Sequence, residues 1–257
     1  MTGPVLYCGD PHGAFGHIIE AADRTQASAV ILLGDLEPQR PLHIELAPLI
    51  EREVPIYWIP GNHDGDSVTV IGRVWGSKLS DRNIHGRVVT LPDYTRLAGL
   101  GCVFRSAVWM PDPAAPGGDA PKFRSRAEHA KATPRQDRFE GGPHFRHMGT
   151  IYHDEFERLA DMQADILATH EAPGEGHHPY GFDILVTLAQ VMGARIIIHG
   201  HQHDARRTDV KGVKCIGVGL RGVTAVDANG NTKVIVPGEL DEARGYGQRD
   251  PDIFGEG

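Results

Sequence analysis

Three histidines fall within five positions of the segment RIIIHGHQHD (195–204), directly behind three isoleucines, and the same punctuation recurs along the chain. Short apolar runs lead into GDPHG (9–13), GD (34–35), GNHD (61–64), TH (169–170) and GHQH (200–203). Asp10, His12, Asp35, Asn62, His63, His170, His201 and His203 therefore offer carboxylate, amide and imidazole donors. A mixed oxygen and nitrogen set suits Mn, Fe or Zn, and an aspartate can bridge two ions through its oxygen pair. A single histidine is as often a packed structural group as a ligand, so the chemistry depends on whether the chain brings these residues together.

The elements that must do so are short. PVLYCGD (4–10), AVILLGD (29–35), PIYWIPGNHD (55–64), ADILATH (164–170) and RIIIHGH (195–201) are bounded by turn residues and read as buried strands. Helical spacing covers 14–26, 43–53, 151–162 and 182–193, with Pro48 kinking or shortening the second of these. Such alternation predicts an α/β fold, in which ligands gather at the carboxyl ends of strands. Gly9, Gly34, Gly61 and Gly200 precede the donors and let the chain turn close to them. In an extended 200–203 segment, His201 and His203 would project to one side. Beyond Asp204, ARRTDV, VKCIGVG and VTAVDANGNTKVIV predict a meander of antiparallel strands with a hairpin turn at Asn229-Gly230.

The chain's 257 residues approach the length at which one core stops growing, which favours a single domain over 1–237 and leaves the Gly-rich, acidic 238–257 as a surface tail. A content of 40% hydrophobic and 23% charged residues excludes disordered and fibrous classes. A net charge of -8 argues against nucleic-acid binding by bulk charge. No apolar run nears the ~18 residues a membrane span needs, and no basic leader with an apolar core opens the sequence. Cys8, Cys102 and Cys215 sit singly in apolar surroundings, so a cytoplasmic protein with reduced thiols is expected. The Pro/Gly-rich segment 111–149 stands apart. Within 121–147, seven basic residues (122, 124, 126, 131, 135, 138, 146) face three acids (128, 137, 140). A lid is one reading, with Arg124, Arg126, Arg135, Arg138 or Arg146 gripping phosphate and His144 or His147 assisting; a solvated loop or a subunit contact is the other.

In their order and spacing, the five donor motifs resemble the calcineurin-like metallophosphoesterase superfamily, over about 10–203. The resemblance implies a four-layer α/β sandwich, two β-sheets flanked by helices, and two divalent metal ions. It would give Asp10, His12 and His203 to one ion, Asn62, His170 and His201 to the other, and Asp35 to both. It further implies a water nucleophile, His63 assisting the leaving group and Asp64 orienting His63. Glu37 falls where relatives carry a supporting acid or amide, and His199 has no motif role. His177 and His178 are expected in a solvated loop. The Asp-Arg-Gly of protein serine/threonine phosphatases is missing after Asp35, which speaks against a phosphoprotein substrate. The expected activity is hydrolysis of a small phosphorylated metabolite or nucleotide. Alternatives are a phosphodiesterase or nuclease on the same donors, or a silent binding scaffold; oligomeric state is not legible.

Overall fold

A computed structural model describes residues 3–112, 119–174 and 176–246. The strands are β1 (Val5–Cys8), β2 (Ala29–Leu32), β3 (Ile56–Trp58), β4 (Arg87–Thr90), β5 (Arg96–Leu100), β6 (Ile166–Thr169), β7 (Ile196–His199), β8 (Arg207–Val210), β9 (Val213–Gly217), β10 (Val223–Val226) and β11 (Thr232–Val236). One sheet runs β11-β10-β1-β2-β3 and the other β4-β5-β6-β7-β9-β8. The two sheets pack face to face between outer helices.

Side-chain alternation explains why the strands are apolar throughout. Val5 and Tyr7 of β1, Ile31 of β2, and Ile196 and Ile198 of β7 meet in a core between the sheets. Leu6, Cys8, Val30 and Leu32 point the other way, against Ile18, Ala21, Ala22 and Leu49 of outer helices. On the far side, Ile197 and Leu167 pack on Leu159, Leu185, Leu188 and Ala189. A strand buried on both faces needs apolar residues at every position, and β1, β2, β6 and β7 are buried along their whole length. No helix among the described residues is long and apolar enough to cross a membrane.

The expected helix over 43–53 is two short ones, Leu42–Glu45 and Ala47–Glu51, because Pro48 sits in the first turn of the second, where its missing N–H costs nothing. The helices Gly16–Thr25, His153–Ala160 and Asp183–Met192 lie within the expected spans.

The predicted carboxyl-terminal meander is divided between the sheets. β8 and β9 pair antiparallel in the larger sheet, where β9 also runs parallel to β7. β10 and β11 belong to the smaller sheet, and β10 pairs antiparallel with β1. Gly219 and Gly222 lie in the crossing; a Cβ on Gly219 would stand 2.5 Å from Asp241 Oδ1.

Residues 238–246, which begin the expected surface tail, make defined contacts with the domain. Asp241 is buried and accepts from the Gly238 N–H at 2.7 Å. Arg244 donates to the carbonyls of Gln202 at 2.8 Å and His203 at 2.7 Å. Residues 247–257 lie outside the described part, as do 113–118 of the predicted insert. The rest of that insert has structure of its own, with a helix at Arg126–Ala132 and one-turn 3₁₀ helices at Arg135–Asp137 and Phe145–Gly149.

Candidate active site

The loops after β1, β2, β3, β6 and β7 converge at one edge. Two groups of donors form there, Asp10 with His12 and His203, and Asp35 with His170 and His201; within each group the donor atoms lie within 4.8 Å of one another. Asn62 joins the second group, its Oδ1 3.2 Å from His170 Nε2. The groups adjoin, since His170 Nδ1 is 3.9 Å from Asp10 Oδ1.

The backbone is bent to achieve this. Asp10, His12, Asp35, His201 and His203 all have left-handed φ, at 41°, 42°, 50°, 64° and 54°. A non-glycine residue seldom adopts this conformation, and it persists only where surrounding contacts enforce it. Segment 200–203 is therefore not extended, contrary to the alternation expected for it. His201 and His203 nonetheless enter different donor groups. Backbone hydrogen bonds supply the enforcement. Asp10 Oδ1 accepts the His201 N–H at 2.9 Å, and Asp35 Oδ1 accepts the His63 N–H at 2.9 Å. Close packing adds to it: a Cβ on Gly61 would lie 2.1 Å from Asp35 Oδ1.

The ring nitrogens are prepared for ligation. His170 Nδ1–H donates to the Leu33 carbonyl at 2.7 Å, which directs Nε2 toward Asp35 Oδ2, 3.4 Å away, and Asn62. His12 Nδ1 is bonded to Glu37 Oε2, and its Nε2 faces His203 Nε2 at 3.4 Å. Fixing one ring nitrogen in this way orients the other and keeps its lone pair available to a metal. Glu37 thus supports His12.

The electrostatics fit cations. Burial pushes the Asp10 carboxyl up to about 7, against the pull of His170. Burial also acts to raise Asp35, but the His170 ion pair and the His63 N–H hold it well below the usual carboxylate range. Burial acts to lower His170, and the charges of Asp35 and Asp10 outweigh it and raise the imidazole to about 10. Burial and the neighbouring His170 lower His201 to about 3, leaving a neutral donor. Oxygens and imidazole nitrogens facing one another this closely require a proton or a metal cation between them. The donor chemistry therefore fits divalent ions.

His63 stands beside the donors, its ring 5.7 Å from that of His12, with Nδ1 2.7 Å from Asp66 Oδ2. Burial acts to lower its pKa, but the bond to Asp66 and the charge of Asp35 leave it raised. Asp64 does not orient it. The Asp64 carboxylate is fully buried and accepts from the N–H groups of Leu36 at 2.9 Å, Glu37 at 3.2 Å and Gly61 at 2.8 Å, tying two donor loops together. Residues 63–65 form a 3₁₀ turn, in which positions i and i+3 eclipse, so Asp66 rather than Asp64 shares the face of His63. Burial and the charge of Asp35 push Asp64 up to about 6.

Two further residues carry no motif in the sequence. Glu171, adjacent to His170, is buried; it accepts the Phe104 N–H at 3.1 Å and approaches His201 Nε2 at 3.8 Å. Arg105 follows Phe104 and lies outside the basic stretch of the insert. Of the insert candidates, Arg124 is paired with Glu157 at 2.7 Å, and Arg126 donates to the His147 carbonyl and lies over the Tyr152 ring. Arg138 bonds backbone carbonyls of its own segment. Arg146 and His147 instead belong to the turn that packs on His63–Gly65 and line a cavity there.

His177, expected in a solvated loop, is buried. Its Nε2 lies 2.7 Å from His199 Nε2 and its Nδ1 2.7 Å from Thr208 Oγ1. His199 Nδ1–H donates to the Gly200 carbonyl at 2.9 Å, so the pair braces the loop carrying His201 and His203. Burial lowers His177 to about 2 and His199 to about 4, so both stay neutral. His177→Ala is expected to leave a buried His199 nitrogen without its partner and to cost about 1–3 kcal/mol in chemical denaturation. A loss below ~0.5 kcal/mol would show that the brace carries no load.

The chain is similar to known proteins in sequence and in fold. The chain is 37% identical over 229 residues to an uncharacterized protein of Haemophilus influenzae, covering 88% of this chain and 95% of that one. Its fold is similar to the crystal structure of TT1561 of Thermus thermophilus, with a TM-score of 0.57 and 14% identity over 91% of this chain and 100% of that chain. The model of the calcineurin-like phosphoesterase family matches residues 3–205, a stretch that contains every donor described above. The chain belongs to the calcineurin-like phosphoesterase family.

Proposed function

We propose that this phosphoesterase is a dinuclear metal-dependent hydrolase acting on the phosphate ester of a small metabolite or nucleotide. The observation that carries the reading is the pair of adjoining donor groups, five of whose residues sit on left-handed backbone. Asp10, His12 and His203 would hold one divalent ion, Asn62, His170 and His201 the other, and Asp35 would be shared. Mn, Fe and Zn all suit this donor set. Bound there, two such ions would activate water and neutralise charge on the phosphoryl oxygens.

The chain's own side chains do the rest. His63 would protonate the leaving oxygen, a role supported by the bond from Nδ1 to Asp66 that fixes its ring. Asp64 holds the loops of Asp35 and Asn62 in register through its three backbone bonds. Glu37 and the Leu33 carbonyl keep His12 and His170 turned toward the centre. The buried free thiols of Cys8, Cys102 and Cys215 support a reducing, cytoplasmic setting.

Metal analysis of the purified protein, together with hydrolysis of 4-nitrophenyl phosphate and bis(4-nitrophenyl) phosphate in Mn²⁺, tests the reading. The expected result is about two ions per chain and faster turnover of the monoester. Faster turnover of the diester would replace the metabolite phosphatase by a phosphodiesterase. Protein that takes up no metal and hydrolyses neither compound would leave only the scaffold.

A further inference from the structure

A cavity of about 450 Å³, in the size range of small-molecule sites, has Phe104, Arg105, Met110, Arg146 and His147 in its walls, on segments that contact the loops of the donor site. Both walls are continuous with the site. The Phe104 N–H donates to Glu171, which approaches His201. The turn Phe145–Gly149 lies against the Gly61–Gly65 segment so closely that a Cβ on Gly149 would stand 2.6 Å from the Gly61 carbonyl oxygen and one on Gly65 would stand 3.1 Å from the Gly149 nitrogen.

The charge of this cavity is unusual for a chain with a net charge of -8. Two arginines and no acid line it. Arg105 Nε is buried without a hydrogen-bond partner among the described residues. Arg146 is exposed and its guanidinium forms no hydrogen bond or ion pair among the described residues. Arg124 and Arg126, by contrast, are engaged with Glu157, His147 and Met148. A guanidinium with free planar donors matches the oxygens of a phosphate, and two of them on one cavity favour a dianion. Phe104 and Met110 offer the same cavity an apolar surface for a carbon skeleton.

We infer that the cavity binds a second phosphate of the substrate, so that the enzyme acts on compact organic bisphosphates: one phosphate ester lies at the donor groups, while the other is held by Arg105 and Arg146. The inference rests on the phosphoesterase reading above and names its substrate class. Nothing in the reaction changes: water adds to phosphorus at the donor groups, the ester bond breaks there, and the second phosphate is released intact on the organic product.

The test compares matched pairs with the Mn²⁺-loaded enzyme: fructose 1,6-bisphosphate against fructose 6-phosphate, and adenosine 3′,5′-bisphosphate against adenosine 5′-monophosphate. In at least one pair the bisphosphate should be preferred by about tenfold or more in kcat/KM, chiefly through KM. The Arg105→Gln/Arg146→Gln double variant should bring that preference to within about twofold, with KM absorbing the loss. Arg146→Gln alone, at an exposed side chain, should move it in the same direction if the double variant is unstable. Arg87→Gln, which removes a charge donating to the Asp81 carbonyl elsewhere, should keep the preference. No preference in either pair, or one that survives both variants, overturns the inference. Calorimetric titration of the same four compounds separates the two failures. Bisphosphate binding that is lost in the variants, without turnover of any compound or of 4-nitrophenyl phosphate, would refute the phosphoesterase and keep the cavity.

Discussion

Gly61→Ala is expected to strip the protein of bound metal and to lower turnover by about 10²-fold or more. The added Cβ would stand 2.1 Å from Asp35 Oδ1, 2.4 Å from the Asp35 nitrogen and 2.7 Å from His170 Cε1. These atoms cannot yield cheaply. Asp35 is buried on left-handed backbone and bonded to the His63 N–H, and His170 is fully buried with Nδ1 tied to Leu33. The clash therefore pushes apart the donors of one group. Emission spectrometry of the purified variant reads the metal directly, and a melting curve reads whether the fold survives. Gly16→Ala provides the contrast, since a Cβ there meets nothing within 4 Å. If Gly61→Ala retained wild-type metal and rate, the loop after β3 would be too pliable to define the centre.

His63→Ala should lower kcat by about 10²–10⁴ while leaving metal content unchanged, because the imidazole lies outside both donor groups. A proton donor matters most where the leaving alkoxide is basic. The loss should accordingly be larger for an alkyl phosphate than for 4-nitrophenyl phosphate. Equal losses on both would assign His63 to holding the phosphoryl group instead. Asp66→Asn should produce a smaller loss of the same pattern, since it weakens the bond at His63 Nδ1 without removing the ring. Asp64→Asn should act differently: an amide would turn a donor toward one of three backbone N–H groups, loosening the loops and lowering stability and metal content together.

The strands that carry the donors are legible because burial on both faces forces an unbroken apolar run, as in Ala29–Leu32 and Ile196–His199. β5 escapes the same reading. Its sequence RLAGL is diluted by Ala98 and Gly99, and the structure shows why Gly99 is there: a Cβ would meet the Ile84 carbonyl oxygen at 2.6 Å. The donor set is legible from residue type and order, whereas the backbone bends are not, because left-handed φ at Asp10 or His203 arises from contacts between loops distant in sequence. Asp64 misleads for a related reason. The resemblance implies that Asp64 orients His63, while a 3₁₀ turn puts the hydrogen-bonding partner three residues on, at Asp66. His177 looks like part of a polar loop, and only its meeting with His199 reveals it as interior. Arg105 carries no local signal; it becomes notable through Arg146, which reaches the same cavity from a segment some forty residues further along the chain.

The attachment of residues 238–246 to the site bears on how the molecule is made. Asp10 needs the His201 N–H, 191 residues further along the chain, and β1 pairs with β10, Cys8 opposite Val223. The 202–203 loop then waits for Arg244 to engage its carbonyls. Contacts of such wide sequence separation carry a high loop-closure cost and form late in folding. A nascent chain still lacking its last strands can hold helices and partial sheets, but it has no completed cluster of donors with which to capture a metal ion. An ion held by these donors would accordingly be one that the folded chain takes up.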